Sequence, residues 1–277
     1  RVVAVHNRWL VTHLLEEFPA ARVTLIRMGV PDPLLSVNVS APEIRRRHGV
    51  PDHAVVFASF GRVTPEKGLT RVLMAVAQLG DAAARAHVLC VGDTADYYDI
   101  MAEARQLGLA DRVHVTGYVS DVDLPSYLAA ADACLCLRWP TARETSASWL
   151  RCVAAGKPTV ISDLVHTADV PSLDVRSMTV SPMADRQSDP VAARVDVMDE
   201  INVLRPTLRR LTEDGALRAR MGDAARQYWQ EQATVDVMAR DYEDAGWPAH
   251  LTADGAEKAR MIAASIGVEL PWLEARS

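Results

Sequence analysis

Gly61-Arg62-Val63-Thr64-Pro65-Glu66-Lys67-Gly68 places two cations where a strand gives way to a helix. Before it, Val55-Val56-Phe57-Ala58-Ser59 is β-branched and apolar, the composition of a buried strand. After it, Leu69, Val72, Leu73 and Val76 recur at i, i+3, i+4 and i+7 and mark one face of a helix. Thr64 suits an N-cap, and Pro65 suits the first helical position, where a missing N–H costs nothing. Arg62 and Lys67 then flank a helix N-terminus at the carboxyl end of a strand, where free amides, the helix dipole and fixed charge favour phosphate. The competing reading is an ordinary turn carrying two solvated cations.

A second such junction lies at Leu137-Arg138-Trp139-Pro140-Thr141-Ala142-Arg143-Glu144-Thr145-Ser146. The amides of Thr145, Ser146 and Ala147 stand open at a helix start and can hold an anion without any side chain. Glu144 is acceptor-only and suits sugar hydroxyls, although a carboxylate here also complements the helix dipole. Asp163 and His166 follow another strand end and read as solvated loop residues.

The elements that must position these residues alternate along 277 residues, 49% of them apolar, enough to fill a substantial core. Strands are expected near Val2–Val5, Val23–Ile26, Val55–Ser59, His87–Val91, Val113–Thr116, Cys134–Leu137 and Thr159–Ser162. Helices are expected at Arg8–Phe18, Pro65–Leu79, Asp96–Leu107, Leu124–Ala130 and Thr145–Ala155. The alternation predicts an α/β fold with a doubly wound parallel sheet. Gly29 to Pro42 has a linker composition, and beyond Pro190 the pattern turns helical, over Val191–Thr212, Gly215–Gln230 and Thr234–Ala245. Gly246 to Ser277 reads as an appendix without an assigned role. The formal net charge of -6 argues against a nucleic-acid surface, and no apolar run approaches a membrane span. Cys90, Cys134, Cys136 and Cys152 lack zinc-type spacing and read as buried reduced thiols, which suits a cytoplasmic setting. Beginning at Arg1 with a strand already under way, the chain reads as a piece of a longer polypeptide.

Gly61-Arg62 with Pro65-Glu66-Lys67-Gly68 resembles the donor-site motif of the large retaining glycosyltransferase family 4, which has the two-Rossmann GT-B fold. Gly108-Leu109-Ala110-Asp111-Arg112-Val113, Gly117-Tyr118-Val119, Tyr127-Leu128-Ala129-Ala130-Ala131-Asp132-Ala133 and Ala154-Ala155-Gly156-Lys157-Pro158-Thr159-Val160 are similar to that family's segments, in the same order. The resemblance implies that residues 36–190 are a nucleotide-sugar-binding Rossmann-like domain and 191–245 its C-terminal helices. Residues 1–35 would be the last βαβ-type unit of an acceptor domain, whose remainder is expected elsewhere in the polypeptide, plus the crossover; 246–277 are the appendix. It further implies a UDP- or GDP-sugar donor with no metal required, Arg62 and Lys67 on the diphosphate, and the base held around Val119 and Leu124.

That family carries two glutamates eight residues apart; aligned on Gly156-Lys157-Pro158, those places here hold Arg143 and Arg151. Glu144 lies one residue beyond the first and seven before Arg151, which resembles a Glu-Thr-Ser variant of that family with Arg in the later place. The two arginines leave open a second function, a nucleotide-sugar-binding module without catalysis. A dinucleotide-binding domain is a third reading, weakened because no Gly-x-Gly-x-x-Gly follows any expected strand.

Overall fold

The computed structural model describes residues 2–181 and 189–246. Its centre is an eight-stranded sheet of order β5-β4-β3-β6-β7-β10-β8-β9. The strands are β3 (Val55–Phe60), β4 (Ala86–Val91), β5 (Val113–Val115), β6 (Ala133–Cys136), β7 (Thr159–Asp163), β8 (Ser172–Asp174), β9 (Thr179–Val180) and β10 (Ala192–Asp196). All pairings are parallel except that of β8 with β9. Taken in chain order, the first six parallel strands other than β8 run 3-2-1-4-5-6, the doubly wound arrangement whose ligand crevice opens where the order reverses. That point lies between β3 and β6. Every residue of β3 and β4 is buried, as helices on both faces of a parallel sheet require.

One face is covered by α3 (Leu69–Ala77) and α7 (Glu200–Glu213), with Leu69, Val72, Leu73 and Val76 all in the core as their spacing predicts. The other face packs α2 (Ala41–Arg47), α5 (Leu124–Ala130) and α6 (Ala147–Ala154), and α4 (Ile100–Gln106) links β4 to β5. A separate two-stranded parallel sheet of β1 (Val3–Val5) and β2 (Val23–Leu25) holds α1 (Arg8–Glu17) between its strands. The crossover behind it is tied down by α8 (Gly215–Gln232) and α9 (Val235–Asp244). Arg27 donates to both carboxylate oxygens of Asp241, at 2.8 and 2.6 Å. Arg226 grips Asp32 from both ends of its guanidinium, and Trp229 Nε1 donates to the Val30 carbonyl at 3.0 Å. The late helices thus fasten the first unit to the large sheet.

Three sequence expectations need correction. The helix expected over Pro65–Leu79 is broken: Pro65–Lys67 form a single 3₁₀ turn, Gly68 takes φ +65°, and α3 starts only at Leu69. A Cβ at Gly68 would touch Leu137 at 3.5 Å in a backbone conformation that side chains disfavour, so the break depends on glycine. The helix expected over Val191–Thr212 begins with a strand instead, because Ala192–Asp196 pair with β7 and β8, and α7 starts at Glu200. The linker over Gly29 to Pro42 contains a 3₁₀ turn at Pro33–Ser36 and runs into α2, which the sequence pattern did not mark. Of the expected appendix, 247–277 lie outside the described residues. No helix among the described residues is long and apolar enough to cross a membrane.

Candidate functional site

Two adjoining clefts open above the carboxyl ends of β3 and β6. Gly61, Arg62, Val119, Leu124, Tyr118 and Arg151 line one of them. Lys67, Arg138, Glu144, Thr145, Ser146 and His166 line the other. Phe60 and Ser148 border both, so the two are halves of one groove divided at the first turn of α6.

The two cations of the first motif separate. Arg62 is exposed at the Val119 half. Lys67 turns back under the chain, and its Nζ donates to the carbonyl of Phe60, the last residue of β3. Gly61 makes room for it: its φ is +84°, and a Cβ there would stand 3.3 Å from the Lys67 nitrogen. Burial lowers the Lys67 pKa to about 8, while nearby Cys136 and Cys90 oppose that shift. The expectation that both cations flank a helix start is therefore corrected. The 3₁₀ turn and Gly68 carry Lys67 inward, where it meets the groove from below.

At the second junction the expected helix start is present. Ser146 caps α6 by accepting from Trp149 N–H at 3.2 Å. Ala147 and Ser148 are the first two residues of the helix, whose N–H groups find no partner within it. Glu144 stands just outside, with one carboxylate oxygen 3.0 Å from Arg138 Nε and the other accepting from Thr141 Oγ1 at 2.9 Å. Burial works against its charge, but hydrogen bonds from its own N–H and Thr141, together with Arg138, outweigh it. The Glu144 carboxyl is held below the usual glutamate range. It is ionised at neutral pH, already oriented, and exposed enough to accept hydroxyls.

The two arginines at the glutamate positions diverge. Arg151 lies in the Val119 half and pairs with Asp121 at 3.0 Å. Arg143 faces away, with φ +64° and its guanidinium 4.7 Å above the Trp9 ring. Its carbonyl accepts from Asn7 Nδ2 at 3.1 Å, and Thr145 Oγ1 donates to the His6 carbonyl at 3.1 Å. The first unit is thus sewn to the loop that carries Glu144.

Three features escaped the sequence. His6, Asn7 and Arg8 line the Lys67 half, so part of the opposite wall comes from the first unit. Their position after β1, at the start of α1, was the available signal. Ser148 borders both halves from the first turn of α6, one residue past the amides that were singled out. His166 is not a solvated loop residue: its Nδ1 is buried without a hydrogen-bond partner among the described residues, and burial lowers its pKa. It offers the groove a neutral imidazole.

Residues 40–170, just under half of this chain, match the family model described as Glycosyl transferases group 1. Over 130 residues the chain is 30% identical to a 2-deoxystreptamine glucosyltransferase of Streptomyces kanamyceticus, covering 46% of this chain and 33% of that protein. It is 27% identical over 150 residues to an alpha-D-kanosaminyltransferase of the same organism, covering 53% and 38%. The matches thus span about a third of one relative and 38% of the other. Among solved structures, Anabaena HepE in complex with UDP superposes with a TM-score of 0.70 at 18% identity, over 89% of this chain and 64% of that one. A glycosyltransferase from Rickettsia africae gives 0.70 at 14% identity, over 88% and 62%. The fold is the Rossmann-like half of a GT-B architecture.

Proposed function

We propose that this chain is the donor-binding portion of a retaining glycosyltransferase that takes a UDP- or GDP-sugar and passes its sugar to an acceptor held chiefly by further chain. The observation that carries the reading is the groove divided at the first turn of α6, with Arg62 on one side and Lys67 and Glu144 on the other. The base rests against Val119 and Leu124, and its ribose lies toward Arg151. The diphosphate crosses at Gly61 and the amides of Ala147 and Ser148, and the sugar enters beside Glu144. Glycosyl transfer builds negative charge on the departing diphosphate. Fixed cations and helix amides aimed at that charge lower the barrier without a metal. Glu144 accepts from sugar hydroxyls and fixes the anomeric carbon relative to the groove.

UDP bound to HepE and the sugar-transferring relatives favour this reading over a dinucleotide domain. Residues 1–35 act as the near edge of the acceptor domain, supplying His6 to Arg8 to the groove. Incubating the chain with UDP-glucose and GDP-mannose and following free nucleoside diphosphate tests the division of labour. Donor binding with slow hydrolysis and no transfer to added sugars is expected. Robust transfer by the 277-residue chain would place an acceptor site within it and overturn the proposal.

A further inference from the structure

The groove floor holds chemistry that donor binding does not use. Cys134 and Cys136 alternate on β6 and so present their side chains to the same face of the sheet. Cys152 comes from α6, and its sulfur stands 3.9 Å from that of Cys136. Cys136 and Cys152 both line the groove half that holds Lys67, but Cys136 is half-buried, whereas Cys152 and Cys134 are buried. Cys90, the fourth thiol, is buried in β4.

We propose that Cys136 is a peroxide-reactive modification site and Cys152 its resolving partner, so that oxidation closes an intramolecular disulfide under the donor groove. Cys136 is attacked first because it is the one cysteine of the four that is not fully buried, whereas Cys152 borders the same cleft from a buried position. Its sulfur takes one oxygen from a hydroperoxide to give a sulfenic acid, and the peroxide leaves as water or an alcohol. The Cys152 sulfur then attacks the Cys136 sulfur, and the hydroxyl departs as water with the Cys152 proton. The two thiols lose two electrons and two protons in all, and the peroxide gains them. Burial holds the Cys152 thiol well above its ordinary pKa, which suits a residue that waits for an activated partner rather than reacting first.

Bringing sulfurs 3.9 Å apart to the ~2 Å of a disulfide turns both side chains toward each other and draws on the packing between β6 and α6. Those elements carry the two sides of the site, Arg138 to Glu144 after β6 and Ser146 to Ser148 at the start of α6. The consequence drawn for nucleotide rests on the donor-binding reading; the sulfur chemistry does not.

The test is a hydrogen peroxide time course on the native chain, with non-reducing peptide mapping and fragmentation between Cys134 and Cys136 to place each sulfur. A Cys136–Cys152 link is expected, with Cys136 consumed at least tenfold faster than Cys90 or Cys134. Cys152→Ser should stop at a sulfenic acid that dimedone traps on Cys136, and Cys136→Ser should leave Cys152 reduced. If a serine variant melts early, pulse alkylation of the wild type ranks the thiols instead. Equal rates at all four cysteines, a Cys134–Cys152 link, or no dimedone adduct on Cys136 would overturn the proposal. Calorimetry then compares UDP with the reduced and oxidised chain, and at least fivefold weaker binding after oxidation is expected. Unchanged affinity would refute the coupling of the disulfide to the groove. Failure of the reduced chain to bind UDP would count against the donor reading and leave the mapping result standing.

Discussion

Binding of UDP at pH 8 should draw about half a proton from solution onto Lys67. The Lys67 ammonium is destabilised by burial to a pKa of about 8, so in the empty groove it is half charged at that pH. A phosphate charge within ~4 Å contributes ~4 kcal/mol at an effective dielectric of about 20, which is about three pKa units. The bound lysine is then fully charged, so uptake is about 0.1 proton at pH 7, 0.5 at pH 8 and 0.9 at pH 9. The phosphates add nothing to this signal, because their own pKa near 6 leaves them ionised by pH 8. If the neutral lysine contributes no binding, affinity falls roughly tenfold between pH 7 and pH 9. The assay is calorimetry at pH 8 in buffers of different ionisation enthalpy, where the slope of apparent enthalpy reads the protons taken up. Lys67→Arg should bind with a flat pH profile, and Lys67→Met weakly with no uptake. Zero uptake by the wild type would refute the placement of Lys67 against the diphosphate.

Other outcomes follow from the same groove. Arg62→Ala should weaken UDP by ~1.5–3 kcal/mol, the range for hydrogen bonds to charged groups, while uridine affinity stays constant; equal loss for both would mean the substitution damages the fold. Glu144→Gln should reduce UDP-glucose affinity more than UDP affinity with the melting temperature nearly unchanged; a stability loss alone would reduce Glu144 to a helix-dipole role. Stability should also depend on His87, whose ring stacks on His114 with nitrogens 3.0 Å apart and which burial and His114 hold at a pKa of about 4. Between about pH 6.5 and 4 the unfolded chain binds a proton that the folded chain refuses, so stability falls as pH drops through that window. The fall amounts to roughly 2–3 kcal/mol and is complete near pH 4. His87→Gln should flatten the fall in denaturant titrations, and an unchanged slope would contradict the assignment.

How far the site was legible in the sequence differs from residue to residue. Burial on both faces leaves little ambiguity in β3 and β4, and Ser146 capping α6 is a local choice that the sequence carries by itself. The start of α3 was misjudged for a physical reason. Thr64-Pro65-Glu66 carries every local mark of a helix beginning, yet Gly68 ends that turn in a left-handed conformation. The turn also moved Lys67 from beside Arg62 to beneath Phe60. Ala192-Ala193-Arg194-Val195-Asp196 falls in the stretch whose pattern turns helical, and its alanines favour helix locally, whereas pairing with β7 and β8 decides its state. His6, Asn7, Arg8 and His166 reach the groove only through packing between units far apart in sequence, such as Thr145 on His6 and Arg143 on Trp9. No spacing rule encodes contacts of that kind.

The central claim is that the groove over β3 and β6 binds a nucleoside diphosphate through Arg62, Lys67 and the start of α6. Titration calorimetry of the chain with UDP, GDP and NAD tests it most directly. UDP or GDP should bind with a Kd on the order of 10–100 µM, near -6 kcal/mol, with NAD at least tenfold weaker, and the double variant Arg62→Ala/Lys67→Ala should abolish the signal. NAD binding as tightly as either diphosphate, or diphosphate binding untouched by the double variant, would contradict the account.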